Sequence, residues 1–216
     1  MKKVISFCLW GDNPRYTIGA IKNADLANDI YPDWICRYYV GKSVSIEIIE
    51  ELYTKKNTEI FIMNEQGNWS GMFWRFLAAS DADVEVMLSR DTDSRLSERE
   101  KAAVEEWLES DKGFHIMRDH PAHITQILGG MWGAKKGSIP DMGNLISEYT
   151  RGEFWQVDQN FLREKIYPLV QNDAYVHDEF FEKKPFPTRR EGGFEHDGEP
   201  KKFVGEPVDE NDVRIR

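Results

Sequence analysis

The sequence predicts an α/β domain built on a mostly parallel sheet, and three observations carry that expectation. Short apolar runs alternate with helix-like stretches through the first half of the chain. The runs are separated by polar segments carrying Gly, Pro, Asn or Asp. The fourth run leads into Arg90-Asp91-Thr92-Asp93-Ser94-Arg95, placing two carboxylates at a strand's carboxyl end, where open α/β sheets bind ligands.

Val4 to Trp10 is the first strand, ended by Gly11-Asp12-Asn13-Pro14, and Pro14 suits the first turn of a helix. That helix runs to about Ile30, with Ile18, Ile21 and Leu26 expected on its core face and Pro32 closing it. Trp34–Val40 reads as a strand, Ser45–Tyr53 as a helix and Glu59–Met63 as a third strand. Gly67–Gly71 reads as a flexible loop, Met72–Ala79 as a short aromatic helix and Val84–Leu88 as the fourth strand. Ser97-Glu98-Arg99-Glu100 is a capping box opening a helix to about Glu109. Strands at Gly113–Arg118 and Gly129–Ala134 flank a loop at His120–Thr125. Helices near Asp141–Tyr149 and Asp158–Val170 and a short strand Ala174–His177 complete the pattern. From Glu182 the chain is charged, rich in Pro and Gly, and aperiodic. It reads as a tail, residues 182–216, that wraps the domain or is partly mobile.

The chain has 216 residues, enough for one domain with a sizeable core. A formal net charge of -10 lacks the basic footprint nucleic acid requires, whereas an anionic ligand can still bind through a bridging divalent cation. The two cysteines, Cys8 and Cys36, sit in apolar runs and read as buried thiols of a reducing compartment. The apolar stretch after Met1-Lys2-Lys3 is too short to span a membrane and lacks a cleavage pattern, so the expected location is cytoplasmic. Seven Trp serve either the core or stacking on sugars and bases.

Residues two apart in an extended segment project to the same side, so Asp91 and Asp93 converge. Hard oxygen ligands at this spacing suit Mn²⁺ or Mg²⁺, which keep sites free for substrate phosphates and neutralise a diphosphate leaving group. Arg90 and Arg95 flank the pair and could hold a diphosphate or offset the carboxylates' repulsion. A merely solvated acidic turn is the plain alternative.

The first strand, the helix Met72-Phe73-Trp74-Arg75-Phe76, the Asp91-Thr92-Asp93 turn, Phe114–Pro121 and Gly129-Gly130-Met131-Trp132-Gly133 together resemble the GT-A glycosyltransferases. The pattern is similar to the small transferase domains of large algal viruses that build capsid-protein glycans, and to capsular-polysaccharide-type enzymes. The resemblance spans residues 4–180 and implies a transferase domain over residues 1–181. It implies a nucleotide-sugar donor, UDP by default, and a glycan or glycoprotein acceptor. The location would be a host's cytoplasm if the chain is viral. Retention of configuration is the course toward which the resemblance leans. Residue by residue, it implies Ser6, Phe7, Leu9, Gly11, Arg37, Asp91 and Thr92 near the donor, with core packing open for Phe7 and Leu9. It implies Arg75 as a donor clamp and Asp158 facing the reacting carbon, with an N-cap role open for Asp158. Asp93, Asp91 and His177 are the implied metal ligands. Gly130, Trp132, His115 and Arg118 are the implied acceptor border, with core packing open for Trp132.

Three other readings compete. A D-x-D phosphatase wants Thr or Val two residues beyond the second Asp, where Arg95 stands. A nucleotidyltransferase wants a Gly-rich basic loop after the first strand, which Gly11-Asp12-Asn13-Pro14-Arg15 is not. A non-catalytic sugar-binding module would not need the acidic pair. A zinc site around His115, His120 and His123 lacks standard ligand spacing.

Overall fold

The computed structural model describes residues 1–149, 152 and 154–215. A seven-stranded sheet runs through it: β1 (Lys2–Leu9), β2 (Ile35–Val40), β3 (Thr58–Ile62), β4 (Val84–Ser89), β5 (Phe114–Arg118), β6 (Trp132–Lys135) and β7 (Ala174–Asp178), in the spatial order β3-β2-β1-β4-β6-β5-β7. Strands β1 to β4 are mutually parallel, β5 pairs parallel with β7, and β6 runs antiparallel between β4 and β5. The α/β expectation holds, with one reversed strand.

Alternation along β1 sorts its side chains between the two faces. Ile5, Phe7 and Leu9 enter the core under α1 (Pro14–Ile30) and α2 (Ile46–Thr54). Val4 enters the opposite core, beside Phe73 and Phe76 of a 3-10 helix (Trp69–Ser80) and Phe161 of α5 (Val157–Phe161). Helix α1 begins where Asn13 accepts a hydrogen bond from the Arg15 N–H at 3.0 Å, with Pro14 in the first turn. Its buried face is Thr17, Gly19, Ala20, Asn23, Ala24, Ala27 and Ile30, and Ile21 and Leu26 pack partly buried against the same core as the periodicity predicts, while Ile18 is also only partly buried. Small residues win that face because the helix lies tight on its neighbours, so that a Cβ on Gly19 would overlap the Thr92 carbonyl.

Other boundaries also shift. The expected loop and aromatic helix after Gly67 are one 3-10 stretch, opened by Asn68, whose side chain accepts from the Ser70 N–H. The predicted Gly-rich strand keeps its ladder only from Trp132. The predicted last helix is interrupted, because α5 passes through a π turn (Leu162–Ile166) into α6 (Tyr167–Val170), with Pro168 there. Helix α3 (Glu98–Glu109) starts at Ser97, whose hydroxyl accepts from the Glu100 N–H. Helix α4 (Met142–Ser147) has Asp141 as its cap.

The aperiodic segment after Glu182 packs along the domain. Phe186 and Val204 join Ala103, Met117 and Met131 in a small core. Asp119, fully buried, receives Arg99, Arg190 and the Val204 N–H. Further on, the Val208 N–H donates to the Asp93 carbonyl at 2.8 Å, and Asp212 pairs with Lys22 and Arg95. No described helix is long and apolar enough to cross a membrane.

Candidate active site

The chain leaves β4 at Ser89 and turns through Asp91–Asp93 over the start of α1. Buried Asn23 of α1 fixes this turn by donating to the Ser94 carbonyl at 2.8 Å and accepting from the Leu96 N–H at 3.1 Å. Asp91 and Asp93 then face a cleft of about 450 Å³ at the carboxyl ends of β1 and β4. Its walls include Cys8, Leu9, Trp10, Gly11, Arg15, Arg75, Thr92, Gly129 and Asp158, and Trp69 and Trp155 also line it.

Arg75 organises the floor. It is buried, with Nη2 at 2.8 Å from Asp158 Oδ2 and 3.2 Å from Asp91 Oδ1, Nη1 at 3.0 Å from Cys8 Sγ, and Nε donating to the Gly129 carbonyl at 3.4 Å. Its own carbonyl accepts from the Ser6 hydroxyl at 2.7 Å. Burial opposes its charge, yet the carboxylates Asp91 and Asp158, together with the hydrogen bond to Cys8 Sγ, more than offset that and leave its pKa above the ordinary value. Burial likewise pushes the Cys8 thiol up, so it is a neutral floor group. Asp158 is raised from the usual carboxylate range by desolvation, against the pull of Arg75. Asp93 is raised by desolvation and then by Asp91, while its ion pair with Arg15 works the other way.

Glycine makes this packing possible. A Cβ on Gly129 would lie 2.5 Å from both Arg75 Nη2 and Asp158 Oδ2, and one on Gly130 would overlap the Asp91 carboxylate. On the other wall, Trp10 sits among Gly41, Gly67 and Gly71 and meets Trp74 edge-on at 6.2 Å. Gly11 turns there at φ +74, its N–H bonded to Ser43.

Of the residues expected at the site, Leu9, Gly11, Arg75, Asp91, Thr92, Asp93 and Asp158 line the cleft. Others are placed elsewhere. Ser6 supports Arg75 from behind, and Phe7 stacks on Tyr38 in the core at 5.0 Å. Arg37 is buried on Glu59 and Asp81, at the opposite end of the sheet from the cleft, because it stands early in β2. Trp132 is fully buried between Phe114 and Phe76 and offers no face to a sugar. Gly130 backs Asp91 rather than an acceptor. Arg118 is consumed by Asp178, Glu182 and the Gln126 carbonyl. Arg90 turns inward to Glu100, and Arg95 turns to Asp212, so neither flanking arginine faces the cleft.

The third expected metal ligand is also misplaced. His177 lies on β7, three strand spacings or about 14 Å from β4. It bonds His115 at 2.8 Å and Glu106 at 3.0 Å, and both imidazoles are held neutral chiefly by burial. Among the described residues no group of three His, Cys, Asp or Glu side chains converges as a metal cage. The paired carboxylates Asp91 and Asp93 still fit a hard cation that takes its remaining ligands from phosphate and water.

Several cleft residues escaped the sequence reading: Trp10, Arg15, Trp69, Trp155 and Gln156. Trp155 is 67% exposed and Trp69 45%. Gln156 adopts φ +67, a strained backbone for a side-chain-bearing residue, immediately before the helix that carries Asp158. A strand-ending Trp and an arginine directly after the first turn were the available signals for Trp10 and Arg15.

The sheet order and the cleft at the carboxyl ends of β1 and β4 define the GT-A glycosyltransferase fold. Solved structures agree. A glycosyltransferase involved in glycosylation of the major capsid of PBCV-1 superposes with TM-score 0.57 at 14% identity, covering 83% of each chain. Glucosyl-3-phosphoglycerate synthase from Mycobacterium tuberculosis, solved with Mn²⁺, uridine diphosphate and glucosyl-3-phosphoglycerate, gives TM-score 0.51 at 10% identity over 81% of this chain and 68% of that one. TarS of S. aureus with UDP gives 0.56 at 14% identity over 82% and 58%. No protein-family model matches the chain, and no curated protein matches its sequence.

Proposed function

We propose that the protein transfers a sugar from a nucleotide-diphosphate sugar, a UDP-sugar first, to a glycan or glycoprotein acceptor. The observation carrying this reading is the convergence of Asp91, Asp93, Arg15, Arg75 and Asp158 in one cleft of a GT-A sheet. Neighbours of the same fold, solved with UDP and with Mn²⁺, support it.

Asp91 and Asp93 would hold Mn²⁺ or Mg²⁺, which supplies charge neutralisation for the departing diphosphate. Trp10 and Leu9, beside the Gly11 turn, offer an apolar wall for the base. Arg75 fixes Asp91 and Asp158 relative to each other, so the cation site and the reacting carbon keep one geometry. Asp158, with its raised pKa, is suited to take the acceptor proton in an inverting course. In a retaining course, the one the resemblance implies, the leaving phosphate takes that proton and Asp158 stabilises oxocarbenium character. Trp155 and Trp69 present indole faces to the acceptor sugar. A cytoplasmic location belongs to the same proposal.

Calorimetric titration of UDP and GDP with Mn²⁺, then with EDTA, tests this reading. Micromolar binding of one nucleotide that disappears with EDTA and in Asp93→Ala is expected. Absence of nucleotide binding under both conditions refutes it and favours the hydrolase or lectin readings.

A further inference from the structure

Two guanidinium groups enter the acidic cleft, and they are held differently. Arg75 is buried and saturated by Asp158, Asp91, Cys8 and the Gly129 carbonyl. Arg15 stands in the first turn of α1, its side chain 27% exposed, and its Nη2 pairs with Asp93 Oδ2. Its Nε is buried without a hydrogen-bond partner, while the guanidinium carbon lies 5.2 Å from the Tyr16 ring. Arg15 therefore holds Asp93 with an incompletely satisfied guanidinium. Asp93 lines the cleft with Asp91, the other carboxylate proposed to hold the cation. A hard divalent cation and Arg15 compete for the same carboxylate.

We propose that Arg15 is a diphosphate-binding residue that shares Asp93 with the divalent cation: cation binding at Asp93 releases the guanidinium to phosphate oxygens. The inference rests on the transferase reading of the cleft. It follows that cation and diphosphate bind cooperatively, each improving the other's affinity by the same factor. The four carboxylates lining the cleft, Asp12, Asp91, Asp93 and Asp158, outnumber its two guanidinium groups, so in formal charge a diphosphate meets a repulsive site until the cation arrives.

The test measures Mn²⁺ binding by electron paramagnetic resonance without nucleotide, and UDP and inorganic pyrophosphate binding by calorimetry at saturating Mn²⁺. In Arg15→Gln, Mn²⁺ alone is expected to bind about fivefold more tightly, because a half-buried competing ion pair is removed. UDP and pyrophosphate are expected to bind about tenfold more weakly, because a charge-assisted contact is lost. A merely structural role would weaken both. Arg15→Lys keeps the charge, so Mn²⁺ affinity should stay near that of the parent protein, which also covers a Gln variant that folds poorly. Unchanged or weaker Mn²⁺ binding in Arg15→Gln, or unchanged pyrophosphate binding, overturns the proposal. Pyrophosphate binding with the Arg15 effect but without UDP or GDP binding would leave the proposal standing and remove the transferase reading.

Discussion

Replacing Arg75 by Met isolates the energetics of the cleft floor. Met keeps much of the side-chain length while removing a guanidinium that contacts Asp158 at 2.8 Å and Asp91 at 3.2 Å. Asp158 is only 4% exposed at its side chain, so the variant leaves a buried carboxylate without its cation. Breaking a buried pair in this way costs about 3 to 5 kcal/mol. The loss has a defined pH dependence. Asp158 is already raised by desolvation in the parent protein, and losing Arg75 raises it further. The folded state then holds a proton that the unfolded chain, with its carboxyl near pKa 3.9, has released. A raised folded pKa stabilises at low pH, and that stability disappears as pH rises through the folded value. The deficit of Arg75→Met relative to the parent should be largest at pH 7 to 8. It should shrink at up to about 1.4 kcal/mol per pH unit once acid protonates Asp158. Urea titrations followed by tryptophan fluorescence between pH 5 and 8 measure this, and Arg75→Met/Asp158→Asn should recover most of the loss. A deficit below about 1 kcal/mol, or one independent of pH and unrelieved by the second substitution, would refute the buried-pair argument.

Three more expectations follow from single contacts. Gly130→Ala should fold but bind UDP with Mn²⁺ about tenfold or more weakly, since its Cβ would displace the Asp91 carboxylate and even a small misplacement of cleft groups is costly; unchanged calorimetric affinity would refute the close approach. Trp155→Ala should leave stability and UDP binding unchanged and raise the acceptor KM about tenfold, the loss expected for one stacking contact, as steady-state kinetics would show; an equal loss of UDP affinity would move Trp155 to the donor side. His123 accepts the Asp119 N–H at 3.0 Å, and burial lowers its pKa to about 3. Its folded pKa lies below the unfolded value near 6.5, so its contribution is present above that value and lost as pH falls. His123→Asn should therefore flatten the acid-side loss of stability by up to about 1.4 kcal/mol per pH unit between pH 6 and 4, and parallel urea-stability curves would contradict this.

The sheet and its acidic turn were legible because both are written locally. Alternation in Val4–Leu9 fixes which side chains face which layer, and an apolar strand followed by Asp91-Thr92-Asp93 places carboxylates at a strand end whatever the rest of the chain does. Roles that depend on a partner strand were not legible. Arg37 and Arg75 both read as arginines within apolar runs, and the sequence gives no sign that the first meets Glu59 and Asp81 while the second meets Asp158. His177 shows the limit most clearly. Its strand was predicted, but its distance from Asp93 depends on β6 entering the sheet antiparallel and on β5 lying beyond it, and strand direction leaves no trace in an apolar pattern. The tail, expected to wrap the domain or be partly mobile, packs on it, but the contacts that fix it were not legible. Arg190 closes on buried Asp119, and the Val208 N–H reaches the Asp93 carbonyl, pairings that its charge and aperiodicity do not specify. A segment without periodicity can thus be fixed by ion pairs and backbone hydrogen bonds over long sequence distances, and here one of those bonds lands on the backbone of a carboxylate that lines the cleft.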